Sequence, residues 1–238
     1  MLGQKLLGLY LSGSLATGGF QRDVSDVDLV AATSTQLDDR EFDNLRAMHE
    51  EVARSSGDWG HRIDVAYVST AALRGCLRDY RYPAIFGHDP LHWEESVSDL
   101  VLTRHVLWKS GIALFGPAPS TIVTPVPRDD LVRVVREACT GEWRGFIEDI
   151  RTCKEQAFWT LLMCRALFTV REGEVISKPA AALWAQEVLP EWSSTIRRAL
   201  GWWQDAVAMS DGLANCEATL PETRRFVSFA VEQVLGGV

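Results

Sequence analysis

No run of apolar residues in this 238-residue chain approaches the ~18 that a membrane-spanning helix needs, so no membrane partner is expected. No C-x-x-C pair occurs either. The five cysteines, Cys76, Cys139, Cys153, Cys164 and Cys216, are scattered and odd in number. That pattern indicates neither a disulfide framework nor a thiolate zinc site, and reduced core thiols in a cytoplasmic protein are expected. Positive charge is the scarcer sign: 24 Lys and Arg stand against 32 Asp and Glu, for a formal net charge of −8. Nucleic-acid backbones require a basic surface, so no nucleic-acid partner is expected, and a cationic small molecule suits the balance better. Internal repeats and low-complexity tracts are missing. With 47% hydrophobic residues the chain builds a packed core, which excludes disorder.

The apolar run Leu6-Leu7-Gly8-Leu9-Tyr10-Leu11 follows Lys5 but is short, and no A-x-A cleavage site follows it. It reads as a buried strand rather than a secretion signal. Leu7 to Leu11 leads into the small-residue turn Ser12-Gly13-Ser14, Val27 to Ala32 reads as a second strand, and Ile63 to Val68 as a third. Between Asp38 and Arg54, Phe42, Leu45, Met48 and Val52 fall on one helical face. After residue 117 the character changes. Pro117, Pro119, Pro125 and Pro127 punctuate a short segment. Beyond it, helices are expected over Leu131–Ile150, Lys154–Val170, Lys178–Val188, Thr195–Met209 and Arg224–Leu235. The fold class expected is α+β (mixed): an α/β domain over residues 1–117, then an all-helical domain over 118–238.

One segment carries chemistry: Gly13-Ser14-Leu15-Ala16-Thr17-Gly18-Gly19-Phe20, followed by Ser25-Asp26-Val27-Asp28-Leu29. Backbone N–H groups at a Gly-Ser turn can hold phosphate oxygens, and glycine lets them approach closely. Asp26 and Asp28 are two apart, which on a strand points both carboxylates to one face. Side by side they repel unless a cation sits between them, and hard oxygen ligands of this kind suit Mg²⁺. Asp64, inside the third strand, supplies a third acid. An Asp pair alone is usually a solvated surface feature. Combined with the Gly-Ser turn and a distal acid, it reads as a centre for metal-assisted phosphoryl or nucleotidyl transfer.

The segment resembles the signature of the nucleotidyltransferase superfamily typified by polymerase beta. The second half narrows the resemblance. Cys164-Arg165-Ala166-Leu167-Phe168-Thr169, Gly173 to Lys178 and Ala182 to Pro190 look like the helical domain of the streptomycin/spectinomycin adenylyltransferases. Ala113 to Pro117 and Pro125 to Leu131 are similar to that family's domain junction. The resemblance implies AMP transfer from ATP, with two Mg²⁺ ions, to a hydroxyl of an aminoglycoside or aminocyclitol. Asp26, Asp28 and Asp64 would be the metal ligands, and Asp64 the base. Gly13, Ser14, Arg165 and Lys178 would bind ATP, and Trp93 and Glu155 the acceptor. The expected assembly is a monomer or weak dimer. Two departures stand out: the family base is usually glutamate where this chain has Asp64, and Arg151 replaces an acid, which disfavours streptomycin.

Overall fold

The computed structural model describes residues 1–22, 24–77, 80–86, 89–205 and 216–236. It divides into two units, Met1–Phe20 with Ser25–Val126, and Gln21–Val24 with Pro127–Val238. The first runs β1 (Leu6–Leu11), α1 (Gly13–Thr17), β2 (Val27–Thr33), α2 (Asp39–Ser55), β3 (Ile63–Ser69), α3 (Thr70–Leu73), β4 (Tyr82–Ile85), β5 (His92–Glu94), α4 (Val97–Ser110), β6 (Ile112–Phe115) and α5 (Pro119–Ile122). The six strands form one sheet in the order β5-β4-β3-β2-β1-β6. Among the described residues only β2 and β3 pair in parallel, and α2 is the crossover that parallel pairing demands.

Strand alternation sorts the side chains to two faces. Tyr10, Val30, Ala32, Ala66, Val68, Tyr82 and Ala84 pack with Leu73 of α3 and with Leu100 and Leu107 of α4. On the other face Ala31, Val65 and Tyr67 pack with Phe42 and Leu45 of α2. The register of α2 is set at its start, where Asp38 and Glu41 form a reciprocal capping box.

Strands β4 to β6 and helix α4 escape the sequence pattern for physical reasons. The three strands are short, and α4 hides polar side chains that periodicity assigns to solvent. Arg104 is only 6% exposed because its Nε donates to Leu73 O at 3.0 Å and its Nη2 to Thr124 O at 3.4 Å. Ile122 and Val123 also pack in this core. The chain past residue 117 thus groups with the first unit as far as Val126.

The second unit holds α6 (Arg128–Thr140), α7 (Glu142–Gly145), α8 (Cys153–Glu172), α9 (Lys178–Val188), α10 (Ser193–Gln204) and α11 (Leu220–Gly236). No strand occurs among its described residues. Helix α8 is its axis, with Leu161, Met163, Cys164 and Leu167 buried and with α6, α9, α10 and α11 packed against it. The single helix expected over Leu131–Ile150 is instead broken at Gly141 (φ −99°, ψ −101°), after which come α7 and a 3₁₀ turn, Phe146–Asp149. The helix expected to Met209 stops at Gln204, and its last residues lie outside the described residues.

The cysteine expectation needs correction. Cys153 and Cys216 are joined by a disulfide with Cα atoms 5.4 Å apart, and Cys76, Cys139 and Cys164 are free. The partners lie 63 residues apart in sequence, so no local motif announces them. Packing of α11 against α8 brings them together. Burial pushes the Cys139 thiol up to about 12 and raises that of Cys164 as well, so both are inert core groups. Among the described residues no helix is long and apolar enough to cross a membrane.

Candidate active site

Strand β1 delivers the chain to Ser12, whose N–H donates to Asp28 O at 2.9 Å. Gly13 follows at φ +54°, and a Cβ built there would overlap the Asp28 carboxylate. Glycine is therefore required twice, for its left-handed backbone and for the closeness of an acid. The next N–H, of Ser14, donates to Asp28 Oδ2 at 3.3 Å. Thr17 Oγ1 closes the turn on Gly13 O at 2.9 Å. The Ser14 hydroxyl oxygen is buried with no hydrogen-bond partner among the described residues.

Asp28 lies directly beside Asp64 in the parallel β2–β3 register. Alternation puts Asp28 on the face of Val30 and Ala32, and Asp64 on that of Ala66 and Val68, which is one and the same face. Asp26 precedes β2 by one residue. Like charges opposite one another across a ladder are destabilising, so this arrangement calls for a cation. Arg62 supplies one. Its Nε stands 3.9 Å from Asp26 Oδ1, its Nη2 donates to Ser25 O, and its guanidinium lies 4.6 Å from the Trp59 ring centroid.

Among the described residues no three His, Cys, Asp or Glu side chains gather as a metal cage. Mg²⁺ does not need one, because it takes one or two carboxylates and completes its shell with substrate phosphate and water. The hard-oxygen donors of Asp26, Asp28 and Asp64, the partnerless Ser14 hydroxyl and the Cβ-free approach at Gly13 fit such an open site.

Trp93 is not brought to these carboxylates. It pairs with Pro83 on β4 and packs on the α2 face, the opposite side of the sheet. Its ring stacks on Phe42 with centroids 5.0 Å apart, and Arg81 lies 4.2 Å from its centroid. In the second unit, Arg165 is on α8 and Lys178 opens α9, which packs against α8. The Lys178 ammonium sits 4.0 Å from the Phe158 centroid and 4.6 Å from that of Trp203, an aromatic cradle for a cation.

Glu155 stands at the third position of α8, where its Oε2 accepts the N–H groups of Thr152 and Arg151, each at 2.8 Å. Burial alone would raise its carboxyl. Hydrogen bonds from Thr152 and Arg151 and the Arg151 charge outweigh burial and hold it below the usual range. Sequence reasoning missed Arg62 altogether. Its position two residues before Asp64 is the only local signal, and it becomes informative only once the register sets Val27 against Ile63.

The Gly-Ser turn beside a carboxylate-bearing strand pair, in a mixed sheet followed by a helical unit, is the arrangement that the sequence resemblance implies. Comparison with known proteins agrees. Residues 121–229 match the family described as aminoglycoside adenylyltransferase, C-terminal domain. A spectinomycin 9-adenylyltransferase of Staphylococcus aureus is 27% identical, covering 82% of this chain and 76% of that protein. An aminoglycoside (3'') (9) adenylyltransferase of Klebsiella pneumoniae is 25% identical, covering 97% and 89%. The spectinomycin adenyltransferase of Enterococcus faecialis, solved with ATP and spectinomycin, shares the fold at a TM-score of 0.74 with 16% identity, covering 98% of this chain and 94% of that one. The chain is thus similar to aminoglycoside adenylyltransferases over most of its length.

Proposed function

We propose that this protein transfers AMP from ATP to a hydroxyl of a cationic aminoglycoside or aminocyclitol and releases pyrophosphate. The observation that carries the reading is the Asp28–Asp64 pairing beside the Gly13–Ser14 turn. The likeness to adenylyltransferases over most of the chain supports it, as does a net charge of −8 for a cationic acceptor.

Asp26, Asp28 and Asp64 would hold Mg²⁺, two ions in this reading. When bound, Mg²⁺ offsets the charge of the triphosphate and of the departing pyrophosphate. Gly13 and Ser14 orient the phosphates through the backbone and the Ser14 hydroxyl. Asp64 takes the proton from the acceptor hydroxyl, whose oxygen bonds to the α-phosphorus as the bond to the β-phosphate oxygen breaks. Resemblance rather than any distance assigns Arg165 and Lys178 to the triphosphate and Glu155 to an ammonium group of the acceptor. Resemblance likewise assigns Trp93 to the acceptor, with its ring stacked on Phe42 and Arg81 against it.

The test is pyrophosphate release from Mg-ATP with spectinomycin, streptomycin and related compounds, with an Asp26→Asn/Asp28→Asn variant as control. Release that the double variant abolishes supports the reading, and turnover that survives it contradicts the site. A second reading is motivated by Asp64, one methylene shorter than the family's acid, and by Arg151. In it, the acceptor is a metabolite or a protein, or the chain is a nucleotide-binding regulator. ATP binding with silence across the panel would favour that reading.

A further inference from the structure

We infer that Arg62 is the resident counter-cation of Asp26, acting through that carboxylate to set how tightly a divalent ion is held at the site. This inference rests on the metal reading above. The guanidinium is not a loose surface charge. The Trp59 ring lies against it, the Ser25 carbonyl accepts from it, and its own backbone carbonyl accepts the Val27 N–H at 2.8 Å. Its side chain is 22% exposed, against 38% for the Asp26 side chain beside it. The two ends of the ion pair stand one residue before β2 and one before β3, which are paired to each other.

An arginine cannot surrender its proton, so it cannot step aside chemically when a dication arrives. Its fixed charge stands 3.9 Å from Asp26 and opposes an ion that would take the same carboxylate. A unit charge about 6 Å from a dication, largely screened by water, changes affinity by about three- to tenfold. Arg62 is accordingly a positioning residue, and its effect lies in metal affinity rather than in the chemical step.

The experiment measures Mn²⁺ binding, without nucleotide, by the electron paramagnetic resonance of the free ion. Arg62→Gln is expected to bind Mn²⁺ about three- to tenfold more tightly than the wild type, and Arg62→Lys, which keeps the charge, close to the wild type. On an Asp26→Asn background the effect of Arg62→Gln is expected to vanish. In chelator, Arg62→Gln should melt below the wild type, and added Mn²⁺ should close the gap. Unchanged or weaker Mn²⁺ binding by Arg62→Gln overturns the inference.

Where Arg62→Gln fails to fold, Trp59→Leu frees the guanidinium without removing its charge. It should tighten Mn²⁺ binding by a smaller factor, and no shift overturns the inference. Wild-type Mn²⁺ binding that Asp26→Asn/Asp28→Asn does not reduce removes the metal reading itself. Binding that the double variant abolishes but Arg62→Gln leaves alone removes only the role of Arg62.

Discussion

Gly13 shows how one residue answers to two constraints. Its φ of +54° costs an L-side chain about 1–2 kcal/mol, and any Cβ collides with the carboxylate that the site is built around. Gly13→Ala is expected to lower the melting temperature and to weaken ATP binding at least tenfold, read by calorimetry. Undisturbed ATP affinity would mean that the turn does not face the nucleotide. The residue scale is also where the sequence spoke most clearly. Gly13, Ser14, Asp26 and Asp28 sit in one short segment whose spacing carries its own geometry. Arg62 did not show itself, because its meaning depends on which residue of β2 stands beside it, and a register is a property of two strands. The surroundings of Trp93 were hidden for a related reason: a tryptophan's place in the chain does not say which face of a sheet it occupies, and the β4–β5 register turns this one toward Phe42.

At the scale of elements, the helix starts were more legible than the helix ends. Asp38 with Glu41, and Thr152 with Glu155, are reciprocal caps that fix the first turns of α2 and α8. Gly141, by contrast, breaks an amphipathic pattern that otherwise continues through it. The Glu155 cap gives a pH prediction. Its carboxyl is held below the ordinary glutamate range, so the folded state binds its proton less readily than the unfolded chain. Its stabilisation is fully present above the unfolded value of about 4.3 and is lost as pH falls through the lower folded value. Glu155→Ala is expected to cost about 1 kcal/mol at neutral pH. In thermal melts the gap to the wild type should stay constant down to about pH 5 and narrow below about pH 4. A gap that does not depend on pH would mean that Glu155 acts through packing and not through its charge.

For the whole molecule, composition and pattern announced a mixed sheet unit followed by a helical one, because strand alternation and helical periodicity are local. The link between Cys153 and Cys216 was not announced, because it depends on how α11 folds back on α8. Closing a loop of that length stabilises by about 4 kcal/mol in the chain-entropy account. Cys153→Ser, or treatment with a dithiol reductant, is therefore expected to lower the melting temperature of the helical unit, followed by far-ultraviolet circular dichroism. An unchanged melt would mean that the two thiols stay reduced in solution. What the molecule makes is read by mass spectrometry of the acceptor. Spectinomycin incubated with Mg-ATP and the wild-type protein is expected to gain the mass of one adenylyl group, and to gain none with Asp28→Asn. Unmodified spectinomycin and streptomycin after incubation with a protein that binds ATP would contradict the antibiotic assignment, and adenylylation that survives Asp28→Asn would contradict the site.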